Sequence, residues 1–308
     1  MAPAAVRYIP LWMPTFRGCP IWKEKEAMIQ LNNGIHMPLL GFGVFQITNH
    51  DLCKQSVLTA LQTGYRLIDT AACYGNERAV GEAVRESGLD RRDVFITSKV
   101  WIQDAGYEKT RASFEKTLDN LQTDYLDLYL IHMPYGDYHG SWRAMEELYR
   151  EGRIRAIGVC NFLPDRLIDL ILSHDVVPAV NQVELHPFCQ QRTLCQVMET
   201  YRIVPMAWAP FAEGQHGLFT DPVLTAIGSL YGKSPAQVVL RWLQQKHIIA
   251  IPKSVHAERI QQNFDVHDFT LSPADMVQID ALNLGHSLIL DVPSLNEVYR
   301  LHGIRFEP

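Results

Sequence analysis

The 308-residue sequence holds no apolar run long enough to span a bilayer, so no membrane partner is expected. It has no excess of basic charge: 28 lysines and arginines stand against 34 acids, a formal net charge of −6. Nucleic acid and anionic membrane surfaces are therefore not expected as main partners. Six cysteines are present (Cys19, Cys53, Cys73, Cys160, Cys189 and Cys195), but no C-x-x-C pair. A chain this long needs no disulfide staples, and reduced thiols in a cytoplasmic protein are the expectation. Cys189 and Cys195 with His186 fit no common zinc spacing, so no metal is expected. No G-x-G-x-x-G follows a strand candidate, which disfavours an open doubly wound sheet with a Rossmann nucleotide site.

The first 27 residues lack what the rest has. Residues 1–21 carry two arginines, no acid, and prolines at 3, 10, 14 and 20. Those prolines break helix and strand alike and interrupt the apolar core that a secretory signal requires. A poorly ordered extension or loosely packed arm is expected over 1–27. Met28 is an alternative natural start.

What is present is an ordinary globular composition, 47% hydrophobic and 20% charged. Residues 29–40 read as a hairpin about Asn33-Gly34, a two-residue turn signal. Thr48 with Asp51 resembles a capping box for a helix that ends at Gly64. Short apolar runs then recur at 41–45, 65–69, 94–99, 126–132, 154–159, 179–184, 204–208 and 248–252. Helical patterns separate them, at 78–86, 110–121, 142–150, 165–172, 194–201 and 234–245. Ser272-Pro273 opens an extra helix near the end. Eight apolar strands alternating with helices, without a domain boundary, predict one α/β domain over 28–308: a (β/α)₈ TIM barrel with an N-terminal hairpin and an extra C-terminal helix.

Polar residues close several of these strands. Asp69, Lys99 and His132 end the second, third and fourth, and Tyr74 follows Asp69 in the next loop. Neighbouring strands lie about 4.8 Å apart, so these groups can converge at the carboxyl-end face of a barrel. Their types suit reduction of a carbonyl. Tyr74 can protonate the oxygen; a Lys99 ammonium would lower its pKa from about 10. Asp69 would keep Lys99 charged, and neutral His132 could donate to the carbonyl oxygen. Taken singly, each residue has a plainer reading, as a buried ion pair, a packing tyrosine or a core histidine.

Asp69-Thr-Ala, Tyr74-Gly-Asn-Glu77, Thr97-Ser-Lys99-Val-Trp101, Leu130-Ile-His132-Met-Pro134 and Ile251-Pro-Lys253-Ser254 occur in that order. Together they make the chain similar to the aldo-keto reductases. Met37-Pro-Leu-Leu-Gly-Phe-Gly43 and Trp208-Ala-Pro-Phe211 resemble the bacterial-type reductases of 2,5-diketo-gluconate and small dicarbonyls. The resemblance implies NADPH-dependent reduction of aldehydes and ketones, with Asp69, Tyr74, Lys99 and His132 as the catalytic set. It implies cofactor contacts at Gly43, Val44, Phe45 and Asp69, and carboxamide contacts at Asn161 and Gln182. Cys160 stands there in place of the more usual serine. Trp208 would stack on the nicotinamide, followed by Ala209, Pro210 and Phe211. Lys253, Ser254, Val255, His256, Arg259, Gln262 and Asn263 would surround the ribose 2′-phosphate, with His256 replacing the commoner arginine and Gln262 the commoner acid. Phe45, Tyr74, Trp101 and His132 would meet the substrate, with Trp142 and Trp208 walling an aromatic mouth and the tail after Gly285 covering it. The partner implied is a small-molecule carbonyl, and the chain a monomer or weak dimer. Two other readings are a Schiff-base aldolase using Lys99 and a nicotinamide-binding regulatory subunit on the same barrel.

Overall fold

The computed structural model describes residues 28–306; the expectation for residues 1–27 lies outside them. Strands β1 (Met28–Gln30) and β2 (His36–Pro38) pair antiparallel, with Gln30 opposite His36. The predicted two-residue turn is not what joins them. Leu31 N–H donates to Ile35 O and Gly34 N–H to Leu31 O, so the connection is a three-residue loop with Gly34 left-handed at φ 88°. The asparagines are used across the molecule instead: Asn32 donates to Pro178 O and Asn33 to Arg155 O. These bonds seat the hairpin over the amino-end of the sheet.

The main sheet comprises β3 (Phe42–Gly43), β4 (Leu67–Asp69), β5 (Phe95–Val100), β6 (Leu126–Ile131), β7 (Ile154–Cys160), β8 (Val180–Glu184), β9 (Val204–Trp208) and β10 (Ile249–Ala250). Each pairs in parallel with the next. A parallel bridge between Leu40 and Ala250 joins the two edges, and Gly43 N–H donates to Pro252 O. Gly43 stands at this seam because a side chain would not fit: a Cβ there would lie 2.9 Å from Ile251 O. The expected eight-stranded barrel is therefore present, with its hairpin.

The helices are α1 (His50–Thr63), α2 (Glu77–Glu86), α3 (Tyr107–Leu121), α4 (Tyr138–Arg150), α5 (Pro164–Ser173), α6 (Arg192–Thr200), α7 (Pro222–Tyr231), α8 (Pro235–Gln245), α9 (Ala257–Phe264), α10 (Pro273–Asp280) and α11 (Leu295–Gly303). The first starts one residue later than Thr48 suggested. Asn49 caps it, its side chain accepting from Leu52 N–H at 2.8 Å, because asparagine caps at least as well as threonine. The Ser234 and Ser272 capping boxes form as expected at α8 and α10. Sequence reading overlooked α7, which opens on Asp221-Pro222, and α11.

Besides a small apolar cluster of Trp101, Ile102, Met133 and Leu301, two large ones make up most of the core. One fills the barrel with side chains such as Leu67, Leu128, Leu130, Met206 and Ile249, beneath which Met37 and Leu39 of the hairpin side pack. The other lies between the sheet and the helices. Trp142 belongs to that second cluster, fully buried, and does not wall the mouth. It shares one face of α4 with Tyr138, Met145 and Leu148, a helical stripe that turns inward. Among the described residues no helix is long and apolar enough to cross a membrane.

Candidate active site

Parallel pairing places every strand's carboxyl end on one face, and the expected catalytic set gathers there. Asp69 is the last residue of β4, Lys99 lies near the end of β5, and His132 follows β6 directly. Tyr74 closes a single 3₁₀ turn, after which Gly75 takes the left-handed φ of 66° that lets the chain double back into α2.

Lys99 Nζ is the hub. It donates to Asp69 Oδ1 at 2.6 Å and Thr70 O at 2.8 Å, and lies 3.4 Å from Tyr74 Oη. Its exposure is 0%, so it relies on these partners for all its solvation. Burial is the largest single influence and would lower its pKa; the charge and hydrogen bond of Asp69, with Tyr74 and Cys160 beside it, together outweigh that, and the ammonium is held above its usual range. Burial likewise pushes the Asp69 carboxyl up, while Lys99 and then Gln182 pull it back.

The expectation that Lys99 lowers the Tyr74 pKa needs correction. The ammonium does act in that direction, but burial acts the other way and is larger, so the phenol is raised above its ordinary value. Tyr74 therefore carries its proton throughout the neutral range. For His132, burial and then Lys99 hold the imidazole well below its usual value, so the ring is neutral.

The remainder of the Tyr74-Gly-Asn-Glu77 motif is scaffolding. Asn76 donates to Val44 O at 2.9 Å and Ile47 O at 3.2 Å, and accepts from Thr70 Oγ1 at 2.8 Å. It staples the loop bearing Phe45 to the end of β4. Glu77 is buried, accepting from Ser98 Oγ at 2.6 Å and Asn120 Nδ2 at 3.2 Å. Val44, expected at the cofactor, spends its N–H on Asp69 O and its carbonyl on Asn76, and its side chain is buried in the outer core.

Aromatic rings line the approach. Phe45 is exposed, with its centroid 4.9 Å from Tyr74's; Trp101 meets His132 edge-on at 5.0 Å. Cys73, not singled out in the sequence, places Sγ 3.4 Å from His132 Nδ1. The tail completes the wall. Trp101 Nε1 donates to Ile304 O at 3.2 Å, Tyr135 Oη donates to Val292 O, and Gln103 exchanges bonds with Phe306. Glu184, the last residue of β8, anchors the start of that tail. Its carboxylate accepts from Ser287 Oγ, from Leu288 N at 2.7 Å, and from Ile289 N and Leu290 N at 3.3 Å each, while His186 Nε2 lies 3.0 Å away. Neither Glu184 nor the tail contacts could be read from local motifs.

The expected carboxamide residues stand opposite. Gln182 donates to Asp69 Oδ2 at 2.8 Å, and Cys160 Sγ lies 3.9 Å from Gln182 Oε1. Asn161, in the left-handed region at φ 61°, donates to His132 O at 3.1 Å and accepts from Trp208 Nε1 at 2.9 Å. These amides are thus part of the site's own frame. Trp208 remains half-buried, and Ala209 follows it at φ 45°, a strained conformation for alanine. Pro210 is buried, and the Phe211 ring packs tilted on Phe219, centroids 5.6 Å apart.

After β10, Lys253, His256, Arg259 and Gln262 are exposed, while Ser254 and Asn263 are buried and Val255 is half-buried. Ser254 Oγ accepts from His256 N–H at 3.1 Å, fixing the turn into α9. Neither Lys253 nor Arg259 has a carboxylate partner among the described residues. Glu258 lies in the first turn of α9 but pairs with neither, so two cations near a helix start keep their charge available, a fitting donor set for a phosphate. Among the described residues no group of three His, Cys, Asp or Glu side chains is disposed to hold a metal ion.

Residues 39–284 match the aldo/keto reductase family. Morphine 6-dehydrogenase of Pseudomonas putida is 46% identical over 275 residues, covering 85% of this chain and 93% of that one. Glyoxal reductase of Bacillus subtilis is 50% identical over 256 residues, covering 83% and 92%. Among solved structures, an aldo-keto reductase of Bombyx mori in complex with NADP superposes with a TM-score of 0.81 at 33% identity, covering 86% of this chain and 95% of that one. The chain belongs to the aldo-keto reductase family and is an oxidoreductase.

Proposed function

We propose that this protein reduces small aldehydes, ketones and dicarbonyls to alcohols with NADPH, residues 28–308 forming one catalytic unit. The observation that carries the reading is Lys99, fully buried between the Asp69 carboxylate and the Tyr74 hydroxyl. When bound, NADPH supplies the hydride. Lys253, Ser254 and Arg259 would hold its 2′-phosphate, and Trp208 would flank its nicotinamide.

The chain's own residues manage the proton. Tyr74, protonated at neutral pH, gives its hydroxyl proton to the carbonyl oxygen as negative charge develops there. The phenolate left behind faces the Lys99 ammonium 3.4 Å away, which stabilises it in a site shielded from water. His132, neutral, donates to the same oxygen and sets its angle. Phe45, Trp101 and the tail keep bulk water from the reacting atoms. The relatives' names, a glyoxal reductase among them, support small carbonyls as the substrate class.

The aldolase reading requires an unprotonated amine. Lys99 is locked as an ammonium by Asp69 and Thr70, which counts against it. A purely regulatory subunit would have no need of the assembled proton relay. A cytoplasmic monomer or weak dimer acting on a free small molecule fits the readings together. The test is NADPH oxidation with glyoxal, methylglyoxal and keto-sugar acids, repeated with NADH. Turnover with NADPH is expected; absence of turnover with every carbonyl would overturn the proposal.

A further inference from the structure

His132 can donate to a carbonyl oxygen in only one of its two neutral forms. Its ring is neutral, so it carries one N–H, and the other nitrogen is a bare acceptor. Nδ1 lies 3.4 Å from Cys73 Sγ, and no other hydrogen-bond partner of either ring nitrogen occurs among the described residues. The neighbouring donors are committed elsewhere: the Trp101 indole N–H to Ile304 O, and the Asn161 amide to His132's own carbonyl oxygen and to Met133 Sδ. If Nδ1 held the ring proton, Nε2 would present a lone pair to the carbonyl oxygen and repel it.

We propose that Cys73 is a positioning residue for carbonyl reduction: its S–H donates to His132 Nδ1, which fixes the ring proton on Nε2 and the ring's orientation toward the substrate. Two further observations fit. Burial pushes the Cys73 thiol up to about 12, so the sulfur keeps the proton it has to donate. The side chain also packs with Trp101, Ile102 and Met133, which hold the thiol in the wall of the mouth rather than in solvent. Position 73 is thereby both a hydrogen-bond donor to the histidine and a part of the surface that a substrate passes.

This inference rests on the reading of His132 as a carbonyl donor. The experiment is nitrogen-15 NMR of the histidine rings in the full chain with NADP⁺, combined with steady-state kinetics, on the wild type, Cys73→Ala and Cys73→Ser. The wild type should show His132 as the Nε2–H tautomer. Cys73→Ala should show a mixture of tautomers and lose about two- to tenfold in kcat, the range of one modest hydrogen bond, with KM for NADPH unmoved. Cys73→Ser, which restores a donor of similar size, should recover the Nε2–H signal and part of the lost kcat. An Nδ1–H tautomer in the wild type would overturn the inference, as would an unchanged tautomer in Cys73→Ala. Failure of the wild type to reduce any carbonyl would instead overturn the functional reading, since the spectra judge the hydrogen bond separately from turnover.

Discussion

Gln182 Nε2 lies 2.8 Å from Asp69 Oδ2, two residues 113 apart in sequence brought together across the barrel. Lys99 holds the other oxygen at 2.6 Å. With both oxygens engaged the carboxylate cannot swing, and Lys99 in turn is held toward Tyr74. The geometry ties the β8 side of the barrel, where a cofactor contact was expected, to the proton chemistry proposed for β4.

Gln182→Leu should therefore act on stability as well as on cofactor binding. It leaves Asp69 Oδ2 buried without its donor, a loss of about 1–3 kcal/mol. Urea unfolding measures it; an unfolding midpoint equal to wild type would show that the contact is incidental.

Lys99→Met removes the ammonium and leaves a buried carboxylate unpaired, with an expected loss of about 3–5 kcal/mol. Reduction should also fall, because the phenolate left by proton transfer has no cation beside it. The two effects can be separated by assaying well below the variant's unfolding temperature. Full activity there would remove Lys99 from the mechanism.

Tyr74→Phe keeps the ring and its packing on Phe45 but loses the proton donor. Reduction should drop by about a hundred- to ten-thousandfold. NADPH affinity, followed by quenching of tryptophan fluorescence, should stay close to wild type. A tenfold or smaller loss of rate would assign the proton to another group.

His132 gives a pH test whose sign is fixed. Its folded-state pKa is depressed, so the fold favours the neutral ring. The stability this confers is present above the unfolded histidine pKa of about 6.5 and is lost as pH falls from there toward the folded value. His132→Asn cannot take up a proton. The variant should lose less Tm than the wild type between about pH 7.5 and 5.5. Equal losses would mean that other groups set the acid sensitivity.

Arg259→Ala should raise the apparent NADPH constant by about ten- to a hundredfold and barely affect NADH, since a charge-assisted hydrogen bond is worth about 1.5–3 kcal/mol. Equal weakening of both cofactors would show that Arg259 supports α9 rather than reading a phosphate.

Much of this was legible in the sequence, for identifiable reasons. Parallel strands buried on both faces must be apolar, so an acid, a lysine or a histidine closing such a run stands out, and the barrel topology brings those ends together. What depends on long-range packing was not legible. Trp142 looked like a mouth residue by type, yet its helical phase with Met145 and Leu148 turned it into the core. The direction of the Tyr74 shift hinged on how much protein surrounds the phenol, which a motif does not specify. Asn33-Gly34 promised a tight turn, but its asparagine side chain was needed by Arg155 O on another strand.

Glu184 secures the tail at residues 287–290, and Gln103 secures it again at Phe306. The intervening stretch packs beside Trp101 in the wall of the mouth but supplies none of Asp69, Tyr74, Lys99 and His132. One part of the wall of the mouth thus comes from a segment distinct from the strand ends. Tyr135 and Trp101 hold the backbone carbonyls of Val292 and Ile304 between these ends, so the path of the tail does not depend on its own side chains there, and those side chains can change while the strand ends stay as they are.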